Sequence, residues 1–356
     1  MLKNRRSRLN MFFEEDSLKA VLFTDLRNIR YLCGFSGSEG ALLVAREAAW
    51  FLCDSRYTAQ AMEEIHSAEV RECGAIRLDT IIALVEEFGL DRIGFEASHT
   101  TVSAYRKMVE KLPGVELVEL GSTLDEIRIC KDAAEIELLG AVATLSSDSL
   151  AAILGQIKPG VRETDIALEL ELEMRRRGAD DKAFDFIVAS GVRGAMPHGR
   201  ASDKTICSGE LVTIDFGAVK DGYHSDETVT VACGNPDSRS REIHAIVKTA
   251  HDRAMEAVRP GISCKDLDNV ARSFINDKGY GEYFGHGLGH GVGLEIHEAP
   301  TLSPRGSKVL EEGMVVTIEP GIYIPGFGGV RIEDTVVVTG DGCRVLTSAN
   351  KELVIL

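Results

Sequence analysis

Val212–Gly217 reads VTIDFG, and 104 positions later Val316–Gly321 reads VTIEPG. Each is an apolar, β-branched run that ends on a carboxylate, Asp215 in the first and Glu319 in the second. Such runs read as buried strands, where an acidic residue is out of place on propensity alone. DETVTV (Asp226–Val231) follows the first run and EDTVVV (Glu333–Val338) follows the second. Upstream, KPGVRETDI (Lys158–Ile166) matches RPGISCKDL (Arg259–Leu267), 101 positions apart. Matched blocks in one order make chance a poor account, so this part of the chain reads as a duplication. Each copy runs helix, Pro-Gly turn, helix, strand, hairpin and strand. Thr164 and Ser263 are candidate caps of the second helices, and Gly178 and Gly279 are their stops.

The repeat brings chemistry with it. Asp215, Asp226, Glu319 and Glu333 sit at repeat-related places inside apolar strands, so each is expected to be largely buried. A buried lone carboxylate demands a partner, a proton or a metal. A hairpin separates the members of each pair, with turn signals at Asp221-Gly222 and Pro325-Gly326. A hairpin returns its second strand beside the first, so each pair can face one side. Four carboxylates that close cannot all stay ionised without cations, and two divalent ions would balance them. Oxygen ligands with one imidazole favour Mn, Co, Fe or Zn over a thiolate-type zinc site. Two carboxylate-bridged ions suit hydrolysis, because the pair can bind and deprotonate a water.

The imidazole is expected from Gly285–Pro300, GHGLGHGVGLEIHEAP, which carries His286, His290 and His297. His286 and His290 have the spacing of a helical zinc pair, but the alternating glycines argue against a helix. A tight strand or loop fits better. In a strand His286 and His290 share a face, and His297 falls on the other unless the chain bends. Spacing does not choose among the three.

Net charge is -16, with 44% hydrophobic and 27% charged residues. That balance fits a globular chain and disfavours nucleic acid or an anionic membrane as partner. The 8 cysteines are scattered without a CxxC pair, which suggests a reducing, cytoplasmic setting. The basic start lacks a signal-peptide core, and no apolar run approaches membrane-span length. Before residue 121 short apolar runs (Ala20–Phe23, Ala41–Val44, Ala49–Leu52, Arg92–Phe95) alternate with helical stretches such as Thr80–Phe88, an α/β pattern. The texture changes near Gly121, and a long helix is expected over about Asp132 to Ile157. Two domains are expected, residues 1–121 and 122–356. His66, His99, His224, His244 and His251 read as structural or surface groups, and Arg175–Arg177 as a solvated helix end.

IDFG, SDETVT, GHGLGHGVGLEIHE, TIEPGIYIP and GVRIEDT together resemble the proline-specific metallopeptidases of the pita-bread fold, the prolidase and aminopeptidase P group, related to methionine aminopeptidase and creatinase. The likeness is close over Phe186–Thr335. It is weaker at Asp125–Arg128 and in NIRYLCGFSGSEG…DSRY of an amino-terminal creatinase-like domain. It implies an α/β fold with a duplicated catalytic domain. It also implies two divalent ions, Mn or Co ahead of Zn or Fe, on Asp215, Asp226, His290, Glu319 and Glu333. Asp226 and Glu333 would bridge the ions, Asp215 would hold one, and His290 with Glu319 the other. Glu319 would shuttle the proton. His198 and His297 would contact the scissile peptide, Arg331 would hold the bridging carboxylates, and His286 would line the proline-side pocket. The activity implied is hydrolysis of the bond preceding proline. Prolidase action on dipeptides is expected ahead of aminopeptidase P action on longer chains. A metal-free creatinase-like or non-catalytic relative is the alternative of another class. A homodimer is implied, with Asp54–Tyr57 reaching a neighbouring subunit.

Overall fold

A computed structural model describes residues 2–356, apart from the side chains of residues 2–4, 122 and 123. The chain divides into two compact units, Met1–Arg128 and Ile129–Leu356. The division falls seven positions after Gly121. The short helical turn Ser122–Arg128 belongs with the first unit, because the Ile127 carbonyl there accepts from Tyr31 Oη at 2.8 Å and Arg8 Nη1 at 2.6 Å.

The first unit is a six-stranded mixed sheet. Its strands are β1 (Ala20–Phe23), β2 (Ala41–Ala45), β3 (Ala49–Cys53), β4 (Glu69–Glu72), β5 (Arg92–Glu96) and β6 (Glu116–Leu120), in the order β4-β3-β2-β1-β5-β6. The apolar runs expected to be strands are the central ones and are buried on both faces. The edges β4 (EVRE) and β6 (ELVEL) carry the charge, which discourages further strand pairing. The expected Thr80–Phe88 helix begins three residues earlier, at Arg77. Asp54 follows β3 directly and pairs with Arg56 at 2.8 Å in solvent.

In the second unit the long helix spans Ala133–Ile153. Asp132 caps it through a reciprocal bond pair with Glu135. Extended by its last turn to Gln156, this helix is long and apolar enough to cross a membrane by length and composition only. Its apolarity is spread over Ala and Leu among small polar residues, so no unbroken run marks it. Half of it is buried within the unit. Ser146 Oγ meets Ser225 Oγ at 2.7 Å, and Ser147 Oγ donates to Glu227 Oε2 at 2.5 Å.

The two copies of the repeat are visible as two similar halves. In the first, β7 (Asp181–Lys182), β8 (Ile187–Ser190), β9 (Glu210–Phe216), β10 (Ala218–Lys220), β11 (Tyr223–His224) and β12 (Glu227–Cys233) follow the helices Ala133–Ile153 and Glu163–Arg176. In the second, β13 (Gly289–Gly291), β14 (Glu298–Leu302), β15 (Val315–Ile318), β16 (Gly321–Ile324), β17 (Gly328–Arg331), β18 (Asp334–Val338) and β19 (Cys343–Val345) follow Ser238–Ala257 and Cys264–Asp277. β9 pairs antiparallel with β12, as β15 does with β18. Between them β10/β11 and β16/β17 form the two expected hairpins. Each half has its own core. One packs Val142, Leu170 and Met174 on Val212, Ile214 and Val229, and the other packs Val247, Leu267 and Ala271 on Val316, Ile318 and Val336.

Ser263 caps its helix as expected, accepting from Asp266 N at 3.0 Å. Thr164 does not. Its helix starts earlier, with Arg162 at the cap and the Asp165 carboxylate receiving the Arg162 guanidinium, and Thr164 Oγ1 is buried without a hydrogen bond. Gly178 and Gly279 follow the helix ends at φ 94° and 84°, the left-handed conformation that stops a helix.

Candidate metal centre

Asp215, Asp226, His290, Glu319 and Glu333 line one cavity of about 750 Å³, together with His198, His286, His297 and Arg331. The two halves meet there. Glu333 N donates to the Thr228 carbonyl at 3.1 Å, joining the start of β18 to β12. Asp215 lies on β9 opposite Thr228, Asp226 just precedes β12, and Glu319 just follows β15. Asp226 and Glu333 are buried, whereas Asp215 and Glu319 keep part of their surface towards the cavity.

Ligand atoms of Asp226, His290 and Glu333 lie within 4.8 Å of one another. His290 Nε2 stands 3.5 Å from Asp226 Oδ2 and 3.4 Å from Glu319 Oε1. Its Nδ1 lies 3.0 Å from the Gly291 carbonyl, which can only accept, so Nδ1 carries the hydrogen and Nε2 presents a lone pair to the carboxylates. Burial, then the neighbouring His297, push His290 down to about 4, which keeps it neutral. Burial is also the main reason Asp226, Glu319 and Glu333 hold protons more tightly than usual. Asp226 is raised by it and by Glu333, Asp215 and Glu319, and Glu333 by it and by Glu319 and Asp215. Burial lifts Glu319 to about 8 against the pull of Arg331.

This donor set fits divalent ions. Asp215 Oδ1 and Glu333 Oε1 are buried oxygens with no hydrogen-bond partner. A neutral imidazole lone pair aimed at carboxylates is repulsive unless a cation lies between them. Oxygen and nitrogen donors of this kind suit the borderline divalent metals. The glycines supply room. A Cβ on Gly289 would lie 2.0 Å from the Thr317 carbonyl, and one on Gly291 would lie 2.2 Å from that of Ala299, so β13 fits between β14 and β15 only without side chains there.

Three histidines surround this set. The ladder between β13 and β14 shifts register at His290/Gly291, and the chain turns back so that the His290 and His297 rings meet edge to face at 4.4 Å. That bend brings all three histidines of the segment to one cavity. His297 and His198 are exposed, and among the described residues neither ring hydrogen-bonds to protein. His286 is different. Its Nδ1 donates to the Gly287 carbonyl at 2.7 Å and its Nε2 accepts from Tyr323 Oη at 2.8 Å, so both ring nitrogens are already engaged.

Arg331 is buried and pairs directly with Asp215. Its Nη1 donates to Tyr323 Oη at 2.9 Å and to the Pro197 carbonyl at 3.1 Å, and its Nε to Thr228 Oγ1 at 3.2 Å. Thr228 passes the contact on, donating to Glu333 Oε2 at 2.6 Å. The expected hold on the bridging pair is therefore indirect, reaching Glu333 through Thr228, because the guanidinium fork is spent on Asp215 and Tyr323. Sequence reasoning missed both intermediaries. Alternation in DETVTV was the available signal for Thr228, since Asp226, Thr228 and Thr230 fall on one face of the strand. Tyr323→Phe is expected to cost about 1–3 kcal/mol, because it leaves buried groups of His286 and Arg331 unpaired. Urea unfolding of the two proteins measures it, and an unchanged midpoint would show that this hydroxyl is dispensable to the fold.

The model of the creatinase/prolidase N-terminal domain matches residues 5–130, and that of metallopeptidase family M24 matches residues 137–340. A Xaa-Pro dipeptidase of Pyrococcus furiosus is 40% identical over 354 residues, covering 99% of this chain and 100% of the relative. The solved structure of a Xaa-Pro dipeptidase from Bacillus anthracis aligns with TM-score 0.97 at 42% identity, covering 100% of both chains. That of an X-Pro aminopeptidase from Thermotoga maritima aligns with TM-score 0.92 at 38% identity, covering 96% of this chain and 98% of the other. A duplicated α/β unit with its acids gathered where the halves meet, preceded by a separate mixed-sheet unit, is thus a hydrolase belonging to metallopeptidase family M24.

Proposed function

We propose that this chain is a Xaa-Pro dipeptidase that hydrolyses the peptide bond preceding proline. The observation that carries the reading is the charge imbalance of the cavity. Four carboxylates and a neutral imidazole converge, Arg331 pairs with Asp215 alone, and no cationic side chain contacts Asp226 or Glu333 among the described residues. Two divalent ions, Mn or Co ahead of Zn or Fe, held by Asp215, Asp226, His290, Glu319 and Glu333 would restore the balance. Bound there, they supply charge that polarises a carbonyl and acidifies water.

The chain's own groups do the rest. Glu319 takes the proton of the attacking water. His297 donates to the oxygen that gains charge as the carbonyl becomes tetrahedral. Proline's amide nitrogen carries no hydrogen, so it must be protonated as it leaves, by His198 or by Glu319 returning its proton. Among the described residues the His198 and His297 rings make no hydrogen bond to protein, which leaves their nitrogens available for these roles. His286 forms wall and steadies Tyr323. Action on longer Xaa-Pro peptides is the second reading, favoured by the likeness to the Thermotoga aminopeptidase. The eight cysteines are all free, which supports a cytoplasmic location. A homodimer is proposed on the resemblance alone.

Cleavage of Ala-Pro and Ala-Pro-Xaa, each with Mn and with Co, tests the proposal. Turnover of Ala-Pro with little of the tripeptide is expected. The reverse preference would replace dipeptidase by aminopeptidase, and no metal-dependent cleavage of either would sink both.

A further inference from the structure

Glu163 lies at the first turn of the Glu163–Arg176 helix, fully buried, and lines no part of the cavity. A buried carboxylate is costly unless fully bonded. This one is. Its Oε1 accepts from Ser190 N and Ser190 Oγ, both at 2.8 Å. Its Oε2 accepts from Ser202 Oγ at 2.7 Å, from Ser202 N at 3.2 Å and from Arg193 Nη1. Ser190 and Ser202 bracket the segment that carries His198, and Arg193 lies within it. Arg193 also donates from Nη2 to the Arg200 carbonyl at 2.7 Å, drawing the far limb of the loop to the same point.

The inner side of the loop is tied to the site. Pro197, next to His198, offers its carbonyl to Arg331, which is itself paired with Asp215. Among the described residues the His198 ring makes no hydrogen bond to protein, so its backbone fixes where it stands. That backbone is stretched between Arg331 on one side and Glu163 on the other.

We propose that Glu163 is a positioning residue for His198: its charge gathers Ser190, Arg193 and Ser202 and so sets the loop that holds the imidazole over the substrate. This rests on the role given to His198 above. Glu163→Gln nearly keeps the volume, but whichever way the amide turns its NH2 faces an N–H donor, that of Ser190 on one side or those of Ser202 and Arg193 on the other. The loop is therefore expected to shift while the ion ligands, which Glu163 does not touch, stay in place. A displacement of about 1 Å at a reacting group costs up to about 100-fold in rate.

The test is a double-mutant cycle in the full-length, metal-loaded protein with Ala-Pro as substrate. His198→Ala alone is expected to lower kcat about 100-fold, the low end of acid–base contributions. Glu163→Gln alone is expected to lower kcat at least about tenfold with the ion count unchanged, and to cost under about twofold when His198 is already alanine, since coupled residues are non-additive. Equal losses in both backgrounds, or a loss that tracks the ion count, would mean a general structural role and overturn the proposal. A normal rate for His198→Ala would overturn it by removing the role of His198 itself, which the single variant reveals separately. Should Glu163→Gln fail to fold, Ser202→Ala, which deletes one of the five donors, enters the same cycle with the same criterion.

Discussion

His290→Ala is expected to fold, to bind one divalent ion fewer per chain than the native protein, and to lose at least about 10³-fold in Xaa-Pro cleavage. The argument is geometric. His290 Nε2 presents an imidazole lone pair to the carboxylates, with its tautomer held by the Gly291 carbonyl. Alanine offers no donor. Neighbouring carboxylates would not substitute, because the free oxygens of Asp215 and Glu333 would already serve in the proposed donor set. The fold should survive, since the β13 ladder uses backbone groups that the substitution leaves intact. Elemental analysis of the purified variant counts the ions, and steady-state kinetics with Mn gives the rate. Two ions at normal occupancy would remove His290 from the ligand set.

His297→Ala is expected to do the opposite: both ions stay, and kcat falls about 100-fold, the scale of losing one transition-state hydrogen-bond donor. His297 touches the His290 ring edge to face, yet among the described residues no hydrogen bond orients its own nitrogens towards the carboxylates. With His297 donating to the carbonyl oxygen as proposed, KM should change far less than kcat, because such a contact would strengthen as charge develops. If His297→Ala emptied one position while His290→Ala kept both ions, the two roles would be exchanged.

Much of this arrangement was legible in the residues because the signals were local. Val212–Gly217 and Val316–Gly321 read as strands because β-branched residues suit a pleated surface, and both form the strands that carry an acid to the cavity. The turns at Asp221-Gly222 and Pro325-Gly326 close the two hairpins for the same kind of reason. Thr164 shows the limit of that reasoning. A good capping residue stood two positions after the cap, and an Arg162–Asp165 pair took over the helix start. The Ala133–Ile153 helix shows it again: its boundaries were clear, but its span-like composition was diluted by serines whose use depends on Ser225 and Glu227, far along the chain.

By itself the sequence determined that four carboxylates recur at repeat-related places, and that glycines clear space around three histidines. Periodicity and backbone propensity act over a few residues, so they survive in a one-dimensional reading. Which histidine turns a bare nitrogen towards the acids was decided only in three dimensions. It depends on a register shift beside His290, on a turn that returns His297, and on a tyrosine and an arginine that engage His286 and Asp215. Those contacts join strands far apart in the chain, and spacing within one segment carries no record of them.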